Sequence, residues 1–123
     1  MTPDQFDALK ALQAVRTLLG VEDRWTKGFF ARRDDRTKCG PRQPEARCWC
    51  LTGALMKVLP ESELQRLTGL LSHSLNQVIP PLAAEQPYPG GARRIAAFND
   101  ALSTAHKDVL GVLDKAIAKL EAA

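Results

Sequence analysis

No run of apolar residues in this chain approaches the roughly 18–20 that a bilayer span requires. The opening residues, Met1-Thr2-Pro3-Asp4-Gln5, carry neither the basic start nor the apolar stretch of a secretory leader. Both absences predict a cytoplasmic protein that stays away from membranes. Cysteine is scarce and odd in number. Cys39, Cys48 and Cys50 cannot form a closed disulfide framework, so free thiols are expected. Their spacing also lacks the close pairs that structural zinc sites use, so no metal and no cofactor are expected. The chain holds no paired-acid, metalloprotease or serine-hydrolase signature, no internal repeat and no sustained heptad.

What is present is ordinary globular composition. Of 123 residues, 45% are hydrophobic and 25% charged, which suits one ordered domain over residues 1–123. Thr2-Pro3-Asp4 places a capping residue before a proline at the first helical position. Phe6, Leu9, Leu12, Val15 and Leu19 then recur at helical spacing, with Gly20 placed to stop the helix. Gly28 to Arg32 reads as a short strand, Asp34-Asp35 as a turn, and Arg36 to Cys39 as the returning strand. Two strands alone are marginal, so this hairpin must lie on helices.

After the proline loop at residues 40–44, a second helix is expected from about Pro44–Arg47 through Cys48-Trp49-Cys50 to Leu59. Ser62 and Gln65 have the spacing of a capping box for a third, with Leu64, Leu67, Leu71, Leu75 and Val78 as its apolar stripe. Residues 82–94, with Pro87, Tyr88, Pro89, Gly90 and Gly91, read as the longest irregular connection. Gly90 to Arg94 resembles a phosphate-binding turn only superficially and is read as a hinge. Ser103 or Thr104 can cap a last helix that buries Val109, Val112, Leu113, Ala116, Ile117 and Leu120. The expected fold is mainly α with a small β-hairpin, about four helices packed in one compact domain.

Charge is unevenly spread. The net charge is only +3, yet residues 24–47 hold eight Lys or Arg against Asp34, Asp35 and Glu45. Such a segment is either a solvated hairpin or a docking patch for an anion: a nucleotide, a nucleic acid or an acidic protein face. Cys48-Trp49-Cys50 is the most unusual local feature. A cysteine at a helix N-terminus can become a nucleophile, and His106 follows Asn99 and Asp100 downstream in an order that some thiol hydrolases use. The simpler reading is a core helix that buries Cys, Trp and Leu.

Three segments carry a resemblance: Trp25-Thr26-Lys27-Gly28-Phe29-Phe30-Ala31-Arg32, Cys48-Trp49-Cys50-Leu51-Thr52-Gly53-Ala54-Leu55, and Phe98-Asn99-Asp100 leading to His106. In this order they resemble an uncharacterised family of small bacterial and bacteriophage proteins, domain of unknown function 6197. Phe98 stands where that family usually has tryptophan, and Ala105 where a capping threonine is frequent. The resemblance implies that Trp25, Arg32, Trp49, Cys50, Asn99 and Asp100 share one neighbourhood. It brings no activity. Asn99 and Asp100 can tie a turn to the hairpin, Asp100 pairing with Arg32, or Arg32 and Asn99 can offer donors to a ligand.

The expectation that follows is a small non-enzymatic binding or interaction protein, phage-encoded, acting on a host protein or a nucleotide. Its binding candidates are Trp25, Arg32, Arg33, Arg36, Asn99 and Asp100. A thiol-dependent hydrolase using Cys48 or Cys50 with His106 is the alternative from another class, and nucleic-acid binding through residues 24–47 is a third.

Overall fold

The computed structural model describes residues 1–81 and 91–123, and the expected turn residues Pro87, Tyr88, Pro89 and Gly90 lie outside them. The first helix, α1, spans Pro3–Leu18. Its start is closed by a reciprocal cap. Thr2 Oγ1 accepts the Gln5 N–H at 3.1 Å, and Gln5 Oε1 accepts the Thr2 N–H at 2.8 Å. Ala8, Leu9, Ala11, Leu12 and Val15 form its buried face. Phe6, expected on that face, is 51% exposed with the Lys10 ammonium over its ring, because the alanines rather than Phe6 complete the stripe. Helical backbone stops at Leu18 with Leu19 as the cap, one residue before Gly20.

Three two-residue strands follow: β1 (Ala31–Arg32), β2 (Lys38–Cys39) and β3 (Cys48–Trp49), in the order β2-β1-β3 with both neighbours antiparallel to β1. The β1–β2 pair is the expected hairpin. The third strand corrects the helix expected across Cys48-Trp49-Cys50. Its backbone is claimed by long-range pairing: the Arg47 N–H donates to the Arg32 carbonyl at 2.8 Å and the Cys50 N–H to the Phe30 carbonyl at 3.2 Å. A helix through these residues would surrender those bonds and leave the far edge of β1 unpaired.

Helix α2 therefore begins later, at Leu51–Val58, with Cys50 as its cap. Helix α3 spans Glu61–Asn76 and buries Leu67, Leu71, Ser74 and Leu75. Its cap position is Pro60, with Glu61 and Glu63 in the first turn facing the positive end of the helix. Ser62 sits one residue inside the helix and caps nothing. Arg66 binds Asp4, Asp7 and Glu63 together and so clamps the first turns of α1 and α3.

Helix α4, Gly91–Asp100, begins inside the sequence read as connection and hinge, which was expected to run through residue 94. Ile95 and Phe98 are its buried anchors. Helix α5, His106–Glu121, buries Val109, Val112, Leu113, Ala116 and Leu120. Neither Ser103 nor Thr104 caps it. The residue before it is Ala105, whose N–H is bonded by the Asp108 carboxylate at 2.8 Å. Helix α1 packs on α5, α2 and α3, and α3 also holds α4 and α5, so the mainly α class with a small β element stands. No helix among the described residues is long and apolar enough to cross a membrane.

Candidate functional site

The resemblance implied a shared neighbourhood around Asn99, and the structure assembles it. Asn99 is 1% exposed at the end of α4. Its Oδ1 accepts Trp25 Nε1–H at 2.7 Å and the Leu51 N–H at 3.1 Å, while its Nδ2 donates to the Thr26 carbonyl at 3.0 Å and to Asp100 Oδ1 at 2.9 Å. An amide has two donor hydrogens and two acceptor lone pairs, and all four are used. The Leu51 N–H is one of the orphan donors at the start of α2, so a residue 48 positions away caps that helix.

Asp100 completes the tie. Its Oδ1 also accepts the Gly28 N–H at 2.9 Å. Gly28 has φ +84, a conformation glycine adopts without strain. Lys27 Nζ donates to the Ala101 carbonyl at 2.5 Å. Arg32, expected to pair with Asp100, instead donates to the Lys27 carbonyl at 3.2 Å and the Arg36 carbonyl at 3.0 Å. Backbone carbonyls on both sides of the hairpin claim its guanidinium first. Trp25, Asn99 and one carboxylate oxygen of Asp100 are thus committed to partners within the molecule, as is the Arg32 guanidinium.

The cysteines are free and buried. Cys50 Sγ accepts the Gly53 N–H at 3.2 Å, which makes the thiol a helix cap. Burial pushes the Cys50 thiol above its ordinary value, outweighing the Gly53 hydrogen bond that favours the thiolate. Gly53 is required by contact: a β-carbon there would lie 1.8 Å from the Phe30 carbonyl oxygen. His106 Nε2–H donates to the Leu19 carbonyl at 2.6 Å, and its ring leans on Trp25 at 6.0 Å between centroids. No hydrogen bond among the described residues joins His106 to Cys48 or Cys50. No three metal-ligating side chains come together among those residues either.

The remaining candidates, Arg33 and Arg36, face a different place. With Arg47, Asp23, Asp34 and Cys48 they line a cleft of about 230 Å³ beside the hairpin turn. The Arg33 N–H bonds the Thr37 carbonyl, and the Arg36 N–H bonds the Arg33 carbonyl, both at 2.9 Å. Asp35 Oδ1 accepts both the Thr37 hydroxyl, at 2.6 Å, and the Thr37 N–H, at 3.0 Å, and these bonds hold the Asp35 carboxyl below its usual range. This loop needs a left-handed residue at its end, normally glycine, and here it is Arg36 with φ +71.

That strained backbone aims a guanidinium at the cleft floor, where Arg36 Nη1 reaches Cys48 Sγ at 3.7 Å. Arg47 is oriented by the Pro44 and Ala46 carbonyls, at 3.1 and 3.2 Å from Nη1. Two of the acids near these guanidinia are loosely held. Asp34, 84% exposed, stands 3.7 Å from Arg47, and Glu45 stands 3.8 Å from Arg33. Exposed pairs at such distances contribute little and exchange readily for a better anion. Sequence reasoning counted Arg47 in the basic segment without choosing it, and missed Asp23. Arg47 could have been found as the last charged residue before the buried Cys48–Leu51 run.

Compared with known proteins, the chain matches one family, described as Family of unknown function (DUF6197), over residues 3–119, a longer span than the motifs from Trp25 onward. No curated protein and no solved structure matches it.

Proposed function

The chain belongs to this family of unknown function, and from that premise, which supplies no activity, we propose a non-enzymatic binding protein that takes a small anionic ligand between Arg33, Arg36 and Arg47. The observation that carries the reading is Arg36. A non-glycine residue in left-handed backbone costs about 1–2 kcal/mol, and such strain collects at functional sites. Here it places a third guanidinium beside two others around one cleft, where bidentate donors suit a phosphate or carboxylate.

Of the two partners suggested by the sequence, a host protein and a small anion, the concave cleft favours the small anion. The hydrolase alternative gains no support, since the thiol of Cys50 caps a helix and His106 is bonded to a backbone carbonyl.

The test is Arg36→Gly. Glycine relieves the backbone and leaves the fold intact, so a loss of binding cannot be blamed on unfolding. Titration calorimetry with pyrophosphate should show the variant binding at least about tenfold more weakly, one charge-assisted contact being worth that much. Unchanged binding in a stabilised variant would defeat the proposal.

A further inference from the structure

We infer that a larger cleft beside the hairpin is a second anion site, suited to a compact oxyanion of three or more charges, of the tripolyphosphate or tricarboxylate kind. This cleft, about 410 Å³, is lined by Arg24, Pro44, Ala46, Arg47, Trp49 and Lys57. Its charge balance sets it apart from the Arg36 cleft. There, three guanidinia share the wall with Asp23 and Asp34. Here, three cations line the space and no acid does.

The three cations come from separate elements. Arg24 closes the short turn Glu22–Arg24, Arg47 immediately precedes β3, and Lys57 lies in the last turn of α2. All three are exposed, whereas Ala46 and Trp49 are buried, so the surface that the cleft offers is more polar than apolar. The Arg24 guanidinium and the Lys57 ammonium make no hydrogen bond or ion pair among the described residues. Arg47 is held by the Pro44 and Ala46 carbonyls, which leave its charge in place. Like charges drawn around one concavity raise one another's energy and focus a positive field there. An anion of one charge would answer one cation and leave two. A compact anion of three charges answers all of them. The lysine supplies a point charge and the two arginines planar forks, a set that suits phosphate or carboxylate oxygens.

A polynucleotide is the competing occupant of any basic groove. It is disfavoured because other cations of the same segment are already engaged by backbone carbonyls. Lys27 donates to Ala101, Arg32 to Lys27 and Arg36, and Arg42 to Leu59. Arg24, Arg47 and Lys57 are too few to follow the phosphates of an extended strand.

The experiment is calorimetric titration of the whole protein with tripolyphosphate, citrate, sulfate and a dT oligomer at low and physiological salt. It is repeated on Arg24→Gln, Lys57→Gln and Arg36→Gly, with circular dichroism and the urea midpoint checking that each variant folds. Tripolyphosphate or citrate should bind at least about tenfold tighter than sulfate, and the tighter of the two identifies the acid group that the site takes. Arg24→Gln and Lys57→Gln should each weaken that binding on the order of fivefold, near the upper value of an exposed ionic contact. Binding indifferent to both substitutions but lost in Arg36→Gly would overturn this inference and leave the Arg36 cleft standing. The reverse pattern would support it whatever becomes of the Arg36 cleft. No binding of either polyanion would overturn it, while the Arg36 cleft is judged separately by pyrophosphate. An oligomer bound more tightly than both, with a steep log-linear salt dependence, would overturn it in favour of a nucleic acid.

Discussion

Replacing Asn99 by alanine removes four hydrogen bonds at one stroke, and their geometry sets the expected cost. Two of the partners left behind are donors: Trp25 Nε1–H, half-buried, and the Leu51 N–H, buried at the start of α2. An orphaned buried donor costs about 1–3 kcal/mol. The Thr26 carbonyl and the Asp100 carboxylate lose a donor as well, but Asp100 is exposed and keeps the Gly28 N–H. A loss of roughly 4 kcal/mol follows, a large part of the ~5–15 kcal/mol that holds a domain together. At ~2.1 cal/mol/K per residue, that lowers Tm by roughly 15 °C for this chain length. Urea unfolding followed by circular dichroism at 222 nm measures it directly.

Asn99→Asp sharpens the test because it is nearly isosteric. The new carboxylate would keep both accepted bonds but would face the Thr26 carbonyl and the Asp100 carboxylate where the amide once donated. Its folded pKa must then rise above the unfolded value, so stability is fullest at low pH and is lost as pH climbs through the carboxylate range. An Asn99→Ala variant within about 1 kcal/mol of the parent, or a pH-independent Asn99→Asp, would refute the hub.

Gly53→Ala should destabilise by at least about 3 kcal/mol, since overpacking here drives a β-carbon onto the backbone oxygen of Phe30; a folded variant with unchanged Tm would contradict the packing. Arg36→Gly should raise stability by about 1 kcal/mol, read as a higher urea midpoint at constant m-value. Cys50 should react with thiol reagents on the order of 100-fold more slowly than in the unfolded chain, because reagent meets it only when the segment opens. Its thiol is raised by burial, so its contribution is full below the ordinary 9.0 and is lost as pH rises beyond it; Cys50→Ser should flatten that alkaline decline.

Where the sequence was legible, the signals were local. Thr2, Pro3 and Gln5 specify the start of α1 within four residues, and the leucines of α3 recur often enough to reveal its face. Cys48-Trp49 was not legible, because a short apolar run suits strand and helix equally and only β1, sixteen residues earlier, decides. Helix α4 was hidden by its glycine-rich entry and its length of ten residues, too short to establish a period. The candidate site divides in the same way. Asn99 and Asp100 were found as a tie between distant turns, yet the direction of Arg32 depended on which carbonyls the hairpin brought near it. The left-handed turn at Arg36 follows from strand pairing, which no residue type there announces.

The pairing of α1 with α5 bears on how the protein is made. Leu19 meets His106 across 87 residues, and Arg16 meets Asp114 across 98. At about 5–20 residues per second, a ribosome needs ~4–20 s between delivering one partner and the other. Throughout that interval the apolar stripe of α1 has only α2 and α3 to lie on. A nascent chain stalled before residue 106 would therefore leave part of that stripe open to chaperones and proteases, and its burial is completed only as α5 arrives.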